Sequence, residues 1–219
     1  MVLHKTLISG FGIAVLAGAS FVGAKADTQF ASATTNGVFN WDGASFSTSG
    51  GLATKFTFLI DTKVYNAGKT VDATLALTGL AQGQAVTING AVLQGLQNIT
   101  ETVTENGTGH NLVSLMTPAS GALYGDGNNL SLTIQGNNLF SSDYFNLAGR
   151  QTQTITFTTN SLLHVTTSSG GTSGTLDSFT AAAKSDVFSS SSVPEASTLI
   201  GLGGLILGGG FVGLRRRKA

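Results

Sequence analysis

No cysteine stands anywhere in the 219-residue chain. That removes disulfides, thiol nucleophiles, zinc ribbons and iron–sulfur ligation together. A domain of this length does not need disulfides even outside the cytoplasm. Proline is nearly absent as well, with Pro118 and Pro194 the only two. Charged side chains make up only 10% of the residues. Between Asp27 and Glu195 five basic residues (Lys55, Lys63, Lys69, Arg150, Lys184) face eleven acidic ones. The stretch is therefore acidic, and it lacks the clustered Lys and Arg that nucleic acid or anionic lipid requires.

Other absences narrow the chemistry. The three histidines, His4, His110 and His164, have no partner at metal-ligand spacing, so no histidine-based metal centre is predicted. Asp126, Asn128 and Asn129 offer the oxygens a calcium ion takes, but Leu130 stands where an EF-hand loop needs a ligand. An Asx-rich turn is the expectation there. There is no G-x-S-x-G nucleophile elbow. Glu101 and Glu105 are the only glutamates before the tail, and they read as solvated surface carboxylates rather than as a glycosidase pair. No enzyme is expected, and a secreted glycan-active enzyme is the weakest of the functional readings.

What remains is rich in Gly, Ser, Thr and Asn, interrupted by short segments that alternate apolar and polar residues. Residues 55–61, 71–77, 99–104, 130–135 and 154–158 alternate with period two, and 162–167 and 175–180 do so more weakly. Between and around them stand Asn36-Gly37, Asp42-Gly43, Asn89-Gly90, Asn106-Gly107, Asp126-Gly127 and Gly136-Asn137, the chemistry of tight turns. No window has a convincing helical period, although Ser178–Lys184 is short and alanine-rich enough for a helical turn. The expected fold is all-β: an antiparallel β-sandwich or jelly-roll-like domain over residues 27–188. Ser168–Gly174 reads as a flexible loop, and 189–198 as a Ser-rich linker.

Both ends look like addresses. Leu7–Val22 is apolar, and Ala24-Lys25-Ala26 matches a signal-peptidase site, so residues 1–26 read as a signal peptide exported through the Sec translocon. An uncleaved N-terminal anchor is the alternative. At the other end Pro194-Glu195 precedes the uncharged run Leu199–Leu214 and the basic cluster Arg215, Arg216, Arg217 and Lys218. Sixteen apolar residues are close to the roughly 17–25 that span a bilayer as helix, and the basic end is expected to stay cytoplasmic. A plain C-terminal membrane anchor is the alternative here.

That three-part order resembles the PEP-CTERM sorting signal, over residues 193–219 only, with Ala196 where the family shows its second proline. The resemblance implies recognition by an exosortase, cleavage near Pro194-Glu195, and passage through the inner membrane to the cell surface or the medium. It also implies association with exopolysaccharide- and biofilm-producing cells. On this reading the chain is an exported surface or matrix protein with a structural or adhesive role. A polysaccharide-binding module is the second reading. It places an aromatic platform at Trp41, flanked by Asn40 and Asp42, at Tyr124 near Asp126, or at Tyr144 beside Asp143.

Overall fold

The computed structural model describes residues 27–48, 50–167 and 171–191, and every one of its regular elements is a strand. They are β1 (Thr28–Asn36), β2 (Val38–Trp41), β3 (Ser45–Thr48), β4 (Leu52–Phe58), β5 (Thr70–Ile88), β6 (Ala91–Glu105) and β7 (Asn111–Leu115). There follow β8 (Ala119–Asp126), β9 (Asn129–Asn137), β10 (Phe140–Ser141), β11 (Arg150–Thr159), β12 (Val165–Thr167), β13 (Ser173–Leu176) and β14 (Phe179–Ser190).

All the ladders are antiparallel, and they close on themselves. β1 and β2 are two halves of one stave, broken at Gly37, whose φ of 135° only glycine adopts readily. β3 and β4 form the second stave, and the two pair as a long hairpin around Asp42-Gly43-Ala44. From there the chain meanders. β4 and β3 pair with β5, β5 with β6, β6 with β8, β8 with β9, β9 with β11, and β11 with β14. β14 then pairs with β1 and β2 and completes a ring of eight staves in sequence order. Closure leaves none of the eight with an open edge. The Greek-key crossovers that define a jelly roll do not occur among the described residues.

The alternation legible in the sequence lines this ring. Inward positions along β11 are Gln151, Gln153, Ile155, Phe157 and Thr159, all buried. Along β14 they are Phe179, Ala181, Asp186, Phe188 and Ser190. Every phenylalanine among the described residues is buried. Phe157 lies edge-on to Phe39 at 4.9 Å and to Phe46 at 5.5 Å, while Phe30, Phe56 and Phe140 surround Phe188 at about 6 Å. Ring geometries of this kind add to the burial that drives the fold.

Strand direction sorts the connections between two rims. One rim carries the segments 59–69, 106–118 and 138–149 together with both ends of the barrel, since Thr28 is the ladder partner of Ser190. The far rim carries three tight turns and the excursion 160–178, which holds β12 and β13. Asn89-Gly90 is one of those turns, with φ of 52° and 86°, the left-handed pair that a two-residue hairpin needs.

Several sequence expectations change here. From Phe179 the segment Ser178–Lys184 is strand, because Phe179 and Ala181 complete the barrel wall and tertiary pairing overrides alanine's helical preference. Gly136-Asn137 lies inside β9 rather than in a turn, and Asn36-Gly37 breaks a stave rather than reversing it. Ser173 and Gly174 pair with β5, and Ser189 and Ser190 belong to β14, with Ser190 fully buried, so the fold runs past residue 188.

Candidate functional sites inside and outside the barrel

Polar side chains meet inside the barrel where three strands face one another. Glu101 (β6), Gln153 (β11) and Asp186 (β14) are 2%, 0% and 1% exposed. The Gln153 side-chain amide donates from Nε2 to Glu101 Oε1 at 2.7 Å and to the two Asp186 oxygens at 3.0 and 3.1 Å. Glu101 Oε2 and Gln153 Oε1 are buried without a partner, as is the Nε2 of Gln151 one inward position along β11. No basic side chain is buried among the described residues. Burial therefore dominates both acids. It pushes the Asp186 carboxyl up to about 8, against the opposing pull of the Gln153 bond. The Glu101 carboxyl is held well above the ordinary glutamate range, first by burial and then by the charge of Asp186.

Glu105 is buried too, at the rim that carries the chain ends. Tyr65 donates to its Oε1 at 2.7 Å, Thr108 to its Oε2 at 2.7 Å, and Tyr144 also bonds Oε2. Burial raises this carboxyl, but the three hydroxyls and the nearby His110 outweigh it, and the net shift is downward. The same contacts hold both phenols up: the Glu105 bond acts first on Tyr65, and burial and then the Glu105 bond act on Tyr144. The expectation of two solvated glutamates is therefore wrong. Glu101 shares the inward face of β6 with Ile99 and Val103, and that alternation outranks its charge.

The three aromatic candidates part company. Trp41 is 2% exposed, donates its indole N–H to the Leu176 carbonyl at 3.0 Å and stacks on Phe179. It packs the barrel and offers no platform to a sugar. Tyr144 is half-buried with its hydroxyl engaged by Glu105. Tyr124 is 56% exposed and stands on the outer face of β8. Beside it runs a trough of about 370 Å³ with Ser131 and Thr156 on its floor, Asp126 and Asn129 at one end, and Lys184 on the opposite wall. Thr156 pairs with Ser185 and Phe157 with Ala183, so Lys184 is the extra residue of a β-bulge that re-aims its side chain. It is exposed and has no partner among the described residues.

Asp126 and Asn129 close the β8–β9 hairpin as ladder partners, and Asn128 bonds the Thr159 carbonyl. Among the described residues no three His, Cys, Asp or Glu side chains gather as metal ligands would. His164 does meet Asp177 at 2.8 Å, with Thr166 on the other carboxylate oxygen, but no third His, Cys, Asp or Glu among the described residues joins that exposed pair. The sorting residues Pro194 and Glu195, the processing residues Ala24 and Ala26, and Arg215, Arg216, Arg217 and Lys218 lie outside the described residues. No helix among the described residues is long and apolar enough to cross a membrane, and the expected span Leu199–Leu214 is not among them.

No protein-family model, no curated protein and no solved structure matches this chain.

Proposed function

We propose that the chain is an exported, exosortase-processed protein of the cell surface or extracellular matrix, and that its barrel is a structural or adhesive body rather than an enzyme. The single observation that best supports this is where the ends of the barrel lie. Thr28 and Ser190 are ladder partners, so the segments carrying the two sorting addresses leave from the same rim. Ser190 is only four residues before Pro194. We also read the ring as flattened into two facing layers, in the manner of a sandwich. Supporting this, Glu101 on the fourth stave feels the charge of Asp186 on the eighth, which stands opposite it in the ring.

The test is the intact mass of the protein recovered from its own cells, after membrane, surface and medium are separated. A species starting at Asp27, ending near Pro194-Glu195 and found outside the cytoplasmic membrane is the expected result. A species that keeps residues 199–219 and stays with the membrane overturns the exosortase reading and leaves a tail-anchored protein.

The trough beside Tyr124 favours polysaccharide binding as a second reading. An exposed ring, a hydroxyl-lined floor and free amide, carboxylate and ammonium groups are what a pyranose engages through its C–H face and its hydroxyls. Retention of the protein on cell-derived polysaccharide, compared with that of Tyr124→Ala, decides it. Equal retention removes the trough from consideration.

A further inference from the structure

Two acids buried inside a barrel with no buried base need an account of their charge. Two of the three buried oxygens left without partners belong to one pair of groups, Glu101 Oε2 and Gln153 Oε1; the third, Thr158 Oγ1, lies further along β11. The other atom of each group, Glu101 Oε1 and Gln153 Nε2, already forms the 2.7 Å bond between them. A carboxylic acid and a primary amide satisfy each other through two such bonds, N–H to one oxygen and O–H to the amide oxygen. One proton on Glu101 Oε2 thus removes both orphans at once. Leaving them unmet inside an apolar core is costly, and leaving a bare carboxylate there costs more.

We infer that Glu101, Gln153 and Asp186 form a proton-held clasp: Glu101 carries a proton on Oε2 bridging to Gln153 Oε1, the amide's second hydrogen holds Asp186, and loss of protons from the pair releases β14 from the barrel. β14 is the strand that closes the ring, with β11 on one side and β1 and β2 on the other. Asp186 sits at that seam, opposite Ile155 on one neighbour and Ala33 on the other. Deprotonation passes the protons of both acids to solvent base. It leaves two facing carboxylates with a single amide between them, and their repulsion acts across the seam. The raised carboxyls described above agree with this, but the paired orphan atoms carry the argument.

Other charges do not supply the missing base. The remaining titratable side chain buried in the barrel is Glu105, four residues along β6 and held by Tyr65, Tyr144 and Thr108. On β11 and β14 the basic residues are Arg150 and Lys184, both exposed. On β4 and β5, Lys55 and Asp72 are exposed and pair with each other. On β8, Asp126 is exposed at the hairpin turn. β1 and β9 contain no charged residue. The clasp stands on the barrel alone, whether or not the chain is exported.

The experiment has two arms on the protein purified from its own cells. The first is the infrared carbonyl band of a protonated carboxylic acid, recorded near pH 7, where exposed carboxyls are ionised and silent. The band is expected in the wild type and reduced in Glu101→Gln. The second is urea unfolding from pH 5 to pH 8.5 for the wild type and for the isosteric pair Glu101→Gln with Asp186→Asn. Each pKa unit is a tenfold factor. The folded-to-unfolded ratio of the wild type is expected to fall about a hundredfold or more as pH rises, and that of the double variant to stay nearly flat. The double variant also subtracts whatever the remaining groups contribute over that range. The absence of an acid band in the folded wild type overturns the clasp, and so does a double variant with the wild-type slope. If the double variant does not fold, the band of the wild type decides alone.

Discussion

Replacing Trp41 separates packing from recognition, because it is the residue at which the two roles were most easily confused. The ring is 2% exposed, stacks on Phe179 with centroids 6.3 Å apart, and donates its indole N–H to the Leu176 carbonyl at 3.0 Å. Trp41→Ala removes a large buried aromatic, a change that costs about 3–5 kcal/mol where the site cannot collapse. It also leaves the Leu176 carbonyl without its donor, for about 1 kcal/mol more unless water enters from the pocket beside Asn40 and Asn160. Against a total stability of roughly 5–15 kcal/mol for a domain, that variant is close to unfolding at 37 °C. Trp41→Phe keeps most of the apolar area and loses the N–H, so about 1–2 kcal/mol is expected. Urea unfolding followed by circular dichroism is the assay, since Trp41 is the only tryptophan and its fluorescence disappears with it. The reasoning fails if Trp41→Ala unfolds within about 1 kcal/mol of the wild type while losing retention on polysaccharide. That result would make Trp41 a recognition residue after all.

Four further variants probe the packing, the rim and the outer face. Phe157→Ala empties the space beside the stacked rings of Phe39 and Phe46 and is expected to cost about 3–5 kcal/mol in urea unfolding, more than any single change on the outer face. Gly125→Ala would place a methyl 2.4 Å from the Asn129 carbonyl oxygen and 2.6 Å from Leu163, and since the first is backbone, a loss of about 1–3 kcal/mol is expected. Glu105 has its pKa lowered by the fold, so its contribution is present above the ordinary glutamate pKa and is lost as pH falls through the lowered one. Glu105→Gln should flatten the acid limb of a stability–pH curve while leaving the neutral limb, where the Glu101–Asp186 pair acts, unchanged. Tyr124→Ala should alter thermal unfolding by less than about 0.5 kcal/mol, being an exposed position, so any loss of retention it causes reports binding.

The strands were legible where period two is strict. The segments 71–77, 130–135 and 154–158 lie wholly in staves of the barrel, 55–61 does so as far as Phe58 and then enters the rim, and Asp42-Gly43, Asn89-Gly90 and Asp126-Gly127 all turn hairpins. Closure was not legible, because alternation marks which face is buried and not which strand is the neighbour. The interior cluster was hidden for a different reason. Glu101, Gln153 and Asp186 each occupy an inward register position beside Ile99, Ile155 and Phe188, but polar residues are rarely placed in cores, and composition argued for the surface. Trusting the period over the charge would have found Glu101 and Gln153. Asp186 required the bulge at Lys184, which shifts the inward register of β14 by one residue and leaves no mark in the hydrophobic pattern. Trp41 shows the converse error, since its polar neighbours Asn40 and Asp42 suggested exposure while its own alternation with Phe39 placed it inside.

The pairing of Thr28 with Ser190 also sets how the barrel bears load. Drawn apart by its two ends, a neighbouring antiparallel pair yields one rung at a time, and the β1–β14 seam unzips under modest force. Held by the tail alone and dragged from the far rim, the same molecule transmits tension along its staves, so that many rungs must slide together. A barrel attached at one end is mechanically a stronger object than the same barrel held by both.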